Sequence, residues 1–383
     1  MTRFLRRHFL ALGAAAASYP AVAARGLQTT ARAAGPVPIV HLTDLFRPYG
    51  DPDDHWDLAT LFALAGQGRL DVRAVMIDFP PPRRGKVDPD VLAVAQMSYL
   101  TGIPVPILVG CPQRLQSRAQ RVQKGADPDW AGVQGLLRIL RDAPRPVVLD
   151  VVGTSNDVAL AGRLEPQLFA EKCAAIYLNA GSGTQDPVKR KKLEYNVGLN
   201  PAAYAALFDL PTTIYWLPCF EEVDSYAAPA AYGSYYRFRH DEILPHLSRP
   251  LQNYFTSVYA DGEQAARQQG PHTWWLQTLL GPRQETMLAK QLPLYRNMWS
   301  TAGLLHSAGL TVACDGRIVP LGQPGVEPVY EFQPVRVRAG DDGLTEWHAD
   351  AAAGDRYLFH IRDTQRYAPA MTIALCKLLA GLG

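Results

Sequence analysis

Five aspartates, Asp44, Asp51, Asp53, Asp54 and Asp57, fall within fourteen positions of the stretch HLTDLFRPYGDPDDHWDLATLFALA. Carboxylates that crowded repel one another unless a cation or a shared proton relieves them. An all-oxygen donor set suits a hard divalent cation, calcium or magnesium. Such an ion acidifies a bound water, and a neighbouring carboxylate takes the proton. Helix capping competes with this reading, because Asp at an N-cap or in a first turn satisfies free N–H groups and the helix dipole. Capping accounts for one or two of these acids but not for Asp44 as well as Asp51, Asp53 and Asp54. Further polar residues follow other apolar runs: Asp78 after VRAVMI, Gly153 to Asn156 after RPVVLDVV, and Asn179 within CAAIYLNAG.

Those residues need a scaffold that brings them together, and the patterning supplies one. From residue 37 short apolar runs alternate with amphipathic stretches. VPIVHLTD, DVRAVMID, VPILVG, RPVVLDVVG and CAAIYLNAG read as strands. HWDLATLFALAGQGRL, with Leu58, Leu61, Phe62 and Ala65 on one face, reads as a helix, as do DPDVLAVAQMSYLTG, WAGVQGLLRILRDA and TSNDVALAGRL. This cadence predicts an α/β fold, a mostly parallel central sheet with helices on both faces. In such sheets the site lies outside the carboxyl ends of the strands, where Asp44, Asp78, Gly153 to Asn156 and Asn179 all fall. The aromatic-rich region 220–300 reads as mostly helical. Beyond about residue 310, VEPVYEFQPVRVRAG and DRYLFHIRD read as strands and RYAPAMTIALCKLLAGL as a closing helix. No repeat or linker interrupts the pattern, so residues 37–383 are expected to form one domain.

Taken in order, these motifs resemble those of the inosine-uridine-preferring nucleoside hydrolases, calcium-dependent enzymes that cleave the N-glycosidic bond of nucleosides. TD followed by DPDDHWDLATLFAL resembles that family's D-T-D-P-G-x-D-D, with a longer loop between Asp44 and Asp53. TGIPVPILVGCPQRL, VGTSNDVALA, YLNAGSG and EYNVGLNPAAYAALF are similar to four further family segments, the last most specifically. The resemblance covers residues 37 to about 220 and implies a Rossmann-like nucleoside hydrolase fold. It implies Asp44 as the catalytic base. Asp44, Asp53 and Asp54, with the backbone of Ser155, would hold the metal. Glu194 and Asn196 would hold the sugar, and Asp78 and Asn179 would line the substrate site. Calcium, with magnesium as the alternative, is the implied cofactor.

One departure bears on activity. Where the family carries a histidine and an aspartate late in the chain, NMWSTAGLLHSAG places Trp299 and Ser300. Ser300 offers the metal a neutral hydroxyl in place of a carboxylate, with Asp51 or Asp57 as substitutes. Trp299 faces the substrate in place of the histidine. Trp274 and Trp275 are further candidates for stacking on a ring, and His272 and His306 for protonating a leaving group. The expected function is therefore divalent-cation-dependent hydrolysis of a ribonucleoside or related glycoside. The alternative is a non-catalytic relative that binds a nucleoside or sugar after losing part of the metal site.

Composition narrows the partners. A formal charge of +2 gives no basic surplus for nucleic acid, and 48 % hydrophobic residues supply a sizeable core. Residues 1–36 begin with Arg3 and the pair Arg6-Arg7, run through an apolar stretch from Phe9 to Ala17, and reach small-residue cleavage sites. This is the design of a twin-arginine export signal, which predicts a periplasmic or extracellular protein with no permanent membrane span. The five cysteines are dispersed without C-x-x-C spacing and read as buried, inert thiols. The expected partner is a small-molecule nucleoside or glycoside. Relatives form dimers and tetramers, so a homo-oligomer is compatible with the resemblance.

Overall fold

The alternating runs assemble, in the computed structural model of this chain, into a nine-stranded sheet. The structure describes residues 35–47, 52–81, 87–123, 125, 128–226, 230–258 and 279–382. Residues 1–34 of the expected export segment, Asp51, His272, Trp274 and Trp275 lie outside the described residues. The strands are β1 (Val37–Thr43), β2 (Leu70–Ile77), β3 (Ile107–Val109), β4 (Val147–Val151), β5 (Cys173–Asn179), β6 (Ile214–Leu217), β7 (Tyr330–Ala339), β8 (Thr345–Ala349) and β9 (Arg356–Ile361). Their order across the sheet is β8-β7-β9-β6-β5-β4-β1-β2-β3. Every pairing from β9 across to β3 is parallel, and only β7 runs antiparallel to its neighbours. The sequence expectation of a mostly parallel sheet holds.

The chain moves outward from β1 through β2 to β3, then returns to place β4 on the other side of β1. This reversal opens a crevice between the carboxyl ends of β1 and β4, where α/β sheets bind ligands. Asp44 follows the first of those strands and Gly153 follows the second.

Helices cover both faces. Those that matter below are α1 (Asp53–Gly66), α2 (Val91–Thr101), α3 (Ala131–Asp142), α4 (Asn156–Leu164), α5 (Pro166–Lys172), α6 (Tyr195–Leu199), α7 (Pro201–Leu207), α8 (Arg249–Ser257), α9 (Thr301–Ser307) and α10 (Tyr367–Ala380). Strand residues alternate between two cores. Ile39, Val75, Ile77, Val148, Ala175 and Tyr177 face the layer of α1, α2, α8, α9 and α10. Val40, Leu42, Met76, Leu149, Ile176 and Leu178 face the layer of α3, α4, α5 and α7. α3 is amphipathic and buries Val133, Leu136, Leu137 and Leu140. Each of its larger inward side chains contributes about 1.5–3 kcal/mol through burial.

α1 behaves differently, because every residue from Asp54 to Leu64 is buried. A helix sandwiched between the sheet and other helices has no solvent face. Its polar residues His55, Asp57 and Thr60 are therefore carried into the interior. α2 begins where the Asp90 carboxylate accepts the Ala93 N–H at 3.3 Å and ends at Gly102, whose φ of 67° a side chain would strain.

Helices predominate among the described elements of region 220–300, as expected, but two short strands that the sequence did not suggest lie there as well. Tyr236–Arg239 is a strand paired antiparallel with Tyr295–Met298. Tyr236 and Phe238 point into the core, whereas Arg237 and Arg239 point out, the period of two that a half-buried strand requires. No helix among the described residues is long and apolar enough to cross a membrane. All five cysteines are free, with Cys111, Cys173 and Cys219 buried and Cys314 and Cys376 partly exposed.

Candidate functional site

The acids meet in the crevice. Asp44 immediately follows β1 and is 9 % exposed. α1 starts at Asp53 with Pro52 at its N-cap and no side-chain capping hydrogen bond, and Asp53 and Asp54 stand in its first turn. The Asp54 carboxylate instead reaches back to accept the Thr43 hydroxyl at 2.6 Å. Burial pushes Asp54 well above the usual carboxylate range, and the nearby charges of Asp44 and Asp53 push it further. Asp78 follows β2; its Oδ2 accepts the Thr154 N–H at 2.5 Å, while burial, Asp157 and Asp44 raise its pKa well above the usual range. Asp44 also raises Glu194, although burial is the larger cause. Asp44 thus lies within electrostatic reach of Asp54, Asp78 and Glu194, and all four are buried at the carboxyl ends of the strands.

The expected sugar clamps converge on the same strand ends but are already engaged. Glu194 caps α6: its Oε1 accepts the Asn196 N–H at 2.9 Å, and its Oε2 accepts the N–H groups of Gly181 at 2.8 Å and Val197 at 3.3 Å. Asn196 donates its amide to the carbonyls of Val152 and Asn179. Asn179 donates to the Leu217 carbonyl and the Ser234 hydroxyl, and its Oδ1 accepts the Ser300 hydroxyl at 3.0 Å. These three side chains tie the ends of β4, β5 and β6 together. A sugar hydroxyl would have to use their remaining lone pairs.

Asp44, Asp53 and Asp54 fit a hard divalent cation in donor type, and their mutual repulsion is what such an ion relieves. Among the described residues, no three His, Cys, Asp or Glu side chains converge at metal-ligand spacing, so the acids would have to close on an ion. The Ser155 carbonyl accepts the Ala159 N–H at 3.0 Å, within the first turn of α4. Ser300, at the N-cap of α9, is buried beside Asp57. Burial pushes Asp57 up to about 7, with the Ser300 hydroxyl and His41 pulling the other way. The single hydroxyl proton of Ser300 goes to Asn179, which leaves both Asp57 oxygens without a well-formed hydrogen bond from a described group.

Gly153 separates two of the acids. A Cβ there would stand 2.3 Å from Asp78 Oδ2 and 2.8 Å from the Asp44 amide nitrogen. Gly153→Ala is therefore expected to destabilise the fold by about 1–3 kcal/mol in denaturant melts, as overpacking does elsewhere. An unchanged midpoint would show that Asp78 yields freely.

Trp299 belongs to an aromatic wall on this site. Its ring centre lies 5.8 Å from Phe220 and 5.7 Å from Tyr235, and its buried Nε1 finds no acceptor among the described residues. His306 is partly buried and packs into an aromatic cluster. Its Nδ1 lies 2.7 Å from the Tyr177 hydroxyl, and its ring packs against Tyr177, Tyr215 and Phe332. Burial lowers it to about 3. Its folded pKa lies below the ordinary value near 6.5, so its contribution to stability is present above pH 6.5 and lost as pH falls. Lowering the pH from about 6.5 to about 5 should cost about 1–2 kcal/mol through this residue. Melts across that range should be flatter for His306→Gln than for the parent; identical slopes would place the titration elsewhere.

Sequence reasoning missed the surroundings of four buried residues, His41, Asp150, Asp157 and Cys219. His41 Nδ1 lies 2.7 Å from Asp150 Oδ2, both inside the α1 face of the sheet. Asp157 on α4 accepts the Cys111 N–H at 2.7 Å through Oδ1, and burial raises it to about 7. Cys219, just past β6, sits among Glu194, Asp53 and Asp44, and burial is the largest cause of its raised pKa. The first pair was legible in principle, because VPIVHLT and VVLDVV each interrupt an apolar strand with one ionisable residue.

No family model matches the sequence, and no curated protein matches it. Solved structures do align with it. The effector protein XOO4466 aligns over 91 % of this chain and 95 % of its own, at 15 % identity and a TM-score of 0.50. A plant nucleoside hydrolase, the PpNRh1 enzyme, aligns over 89 % and 99 % at 14 % identity and a TM-score of 0.48. The type III effector XopQ, solved with adenosine diphosphate ribose, aligns over 91 % and 96 % at 15 % identity and a TM-score of 0.46. At 15 % identity the likeness to XOO4466 is one of fold alone, a mostly parallel α/β sheet in this chain.

Proposed function

We propose that this chain is an exported hydrolase that cleaves the N-glycosidic bond of a ribonucleoside or related glycoside with the help of calcium or magnesium. The observation that supports this reading is the burial of Asp44, Asp54, Asp78 and Glu194 within electrostatic reach of Asp44, near the strand-order reversal. The ordered motifs that resemble those of nucleoside hydrolases support it. Asp44, Asp53 and Asp54 would hold the ion, with Ser155 and Ser300 beside them. When bound, the ion would lower the pKa of a water.

The chain's own residues do the rest. Asp44 takes the proton from the attacking water. Cleavage builds positive charge on the sugar ring, and that charge would favour the ionised form of Asp78, which burial, Asp157 and Asp44 otherwise disfavour. Glu194, Asn196 and Asn179 orient the sugar hydroxyls. Phe220, Tyr235 and Trp299 form a wall for the departing ring.

A second reading has a specific basis. Glu194, Asn196 and Asn179 are committed to the backbone and to Ser300, and Ser300 stands where a carboxylate would complete the metal shell. Both features suit a protein that binds a nucleoside or sugar without turnover. Hydrolysis of a nucleoside panel by the parent and by Asp44→Asn decides between the two. Calcium-dependent turnover lost in the variant supports the enzyme, and equal inactivity with retained ligand binding supports the binder.

A further inference from the structure

The opposite end of the sheet carries charge of the other sign. Asp78 follows β2, whereas Arg69 immediately precedes it. There a cavity of about 420 Å³ lies between the turn that closes α1, the hairpin of Leu310–Val312 with Ile318–Pro320, and α10. Three basic side chains, Arg69, Arg317 and Lys377, line it, and no acid stands among its described lining residues. Arg69 and Lys377 pair with no carboxylate among the described residues. Arg317 donates through Nε to Asp315 Oδ2 at 2.7 Å, which leaves the terminal nitrogens of its guanidinium to another acceptor. The floor between them is apolar, with Leu310, Val319 and Leu378 buried and Ile318 half-buried.

The three cations are held by elements fixed against one another. The Arg69 N–H donates to the Leu64 carbonyl, and its own carbonyl accepts the Val37 N–H, both at 2.9 Å. The hairpin pairs Leu310 with Pro320 and Val312 with Ile318. Its turn presses on α10 at Gly316, where a Cβ would stand 2.6 Å from the Ile373 side chain. Lys377 lies one helical turn beyond Ile373 on the same face, so the turn that carries Arg317 is seated beside it.

Lys377 stands in the last turn of α10 and Arg69 just past the end of α1, where a cation answers the helix dipole. That accounts for each of the two singly. It does not account for Arg317, which a hairpin carries, or for the meeting of all three around one apolar floor. Like charges gathered there repel, and an anion among them relieves the repulsion. A guanidinium offers two parallel N–H donors that match a phosphate or a carboxylate. The floor rewards an apolar body attached to that group. A bare anion would use only the cations, and a neutral ring only the floor.

We propose that this cavity binds a small organic anion, a phosphate or carboxylate group on an apolar body. The charged end sits among Arg69, Arg317 and Lys377, and the body lies on Leu310, Ile318 and Val319. None of these residues belongs to the aspartate crevice.

Phenyl phosphate, benzoate, inorganic phosphate and phenol are the probes, with calorimetry on the full chain at low salt. Phenyl phosphate should bind about tenfold tighter than inorganic phosphate, the scale of burying part of a ring, and phenol should not bind. Whichever of phenyl phosphate and benzoate binds tighter identifies the charged group. Arg69→Gln and Lys377→Gln should each weaken both organic anions several-fold, and the two together should abolish binding. Asp315→Asn releases the whole of Arg317 and should tighten binding about twofold to fivefold, the range of an exposed ion pair. Ile318→Ser should remove most of the advantage of phenyl phosphate over inorganic phosphate. The proposal is overturned if the parent binds neither organic anion at millimolar concentration, or binds phenyl phosphate no better than inorganic phosphate. Binding that survives in folded Arg69→Gln/Lys377→Gln overturns it as well. If that double variant does not fold, Lys377→Gln alone decides: weaker binding supports the site, and parental affinity overturns it. Because no probe needs to be cleaved and no variant touches the acids, failure here leaves the hydrolase reading standing, and an inactive protein that binds these anions leaves this site standing.

Discussion

Asp44→Asn is expected to lower kcat by about 10²–10⁴-fold on any nucleoside that the parent protein cleaves, the range that a positioned general base supplies. The substitution removes the carboxylate that takes the proton while leaving a side chain of nearly the same shape. Loss of activity through unfolding can be told apart from loss of chemistry by melting the variant, because the raised pKa values around Asp44 give the expected sign of the stability change. Asp44 raises the pKa of Asp54, Asp78 and Glu194, so in the absence of a cation its charge works against its neighbours. Neutralising it should hold or raise the cation-free melting temperature while turnover collapses. A variant that turns over like the parent removes Asp44 as the base. A variant that melts markedly lower shows that the carboxylate holds structure instead.

That test rests on residues whose placement could be read in the chain, and the ones that could not be read are instructive. Asp44 and Asp78 each follow an apolar strand, and parallel strands buried on both faces advertise themselves as continuous apolar runs. Their carboxyl ends could therefore be located without coordinates. Asp57 could not be oriented in the same way. On a surface helix it would face water one turn beyond Asp54, but α1 is enclosed on all sides, and only the packing of α8, α9 and α10 around it makes that so. Glu194 shows a different gap. Its identity and its neighbours Tyr195 and Asn196 mark it as a sugar clamp by resemblance, yet nothing in the sequence reveals that three backbone N–H groups already occupy its oxygens. The strand at Tyr236–Arg239 was missed because its partner, Tyr295–Met298, lies far along the chain, and long-range pairing leaves no local signal.

Calcium is expected to raise the melting temperature, and to raise it more near pH 8 than near pH 5. Burial, Asp44 and Asp53 hold the Asp54 pKa above its ordinary value, so the folded protein keeps a proton that the unfolded chain releases. Without a cation, the stability tied to this group is therefore greatest below about pH 4 and is lost as pH rises through the raised pKa. A divalent ion binds carboxylates and not carboxylic acids, and so competes with that proton. The lower the pH, the more the proton itself relieves the repulsion and the less the ion adds. At a concentration 100-fold above its Kd, an ion that binds only the folded state adds about 2.7 kcal/mol, which is worth several degrees for a chain of this size. Melting curves in calcium and in chelator at both pH values measure the difference. Asp54→Asn removes both the repulsion and a ligand, so it should raise the cation-free melting temperature near pH 8 and abolish the calcium shift. A calcium shift that survives in Asp54→Asn, or one that is larger near pH 5, would mean that the ion binds somewhere other than among these aspartates, and the hydrolase reading would then lose its source of activated water.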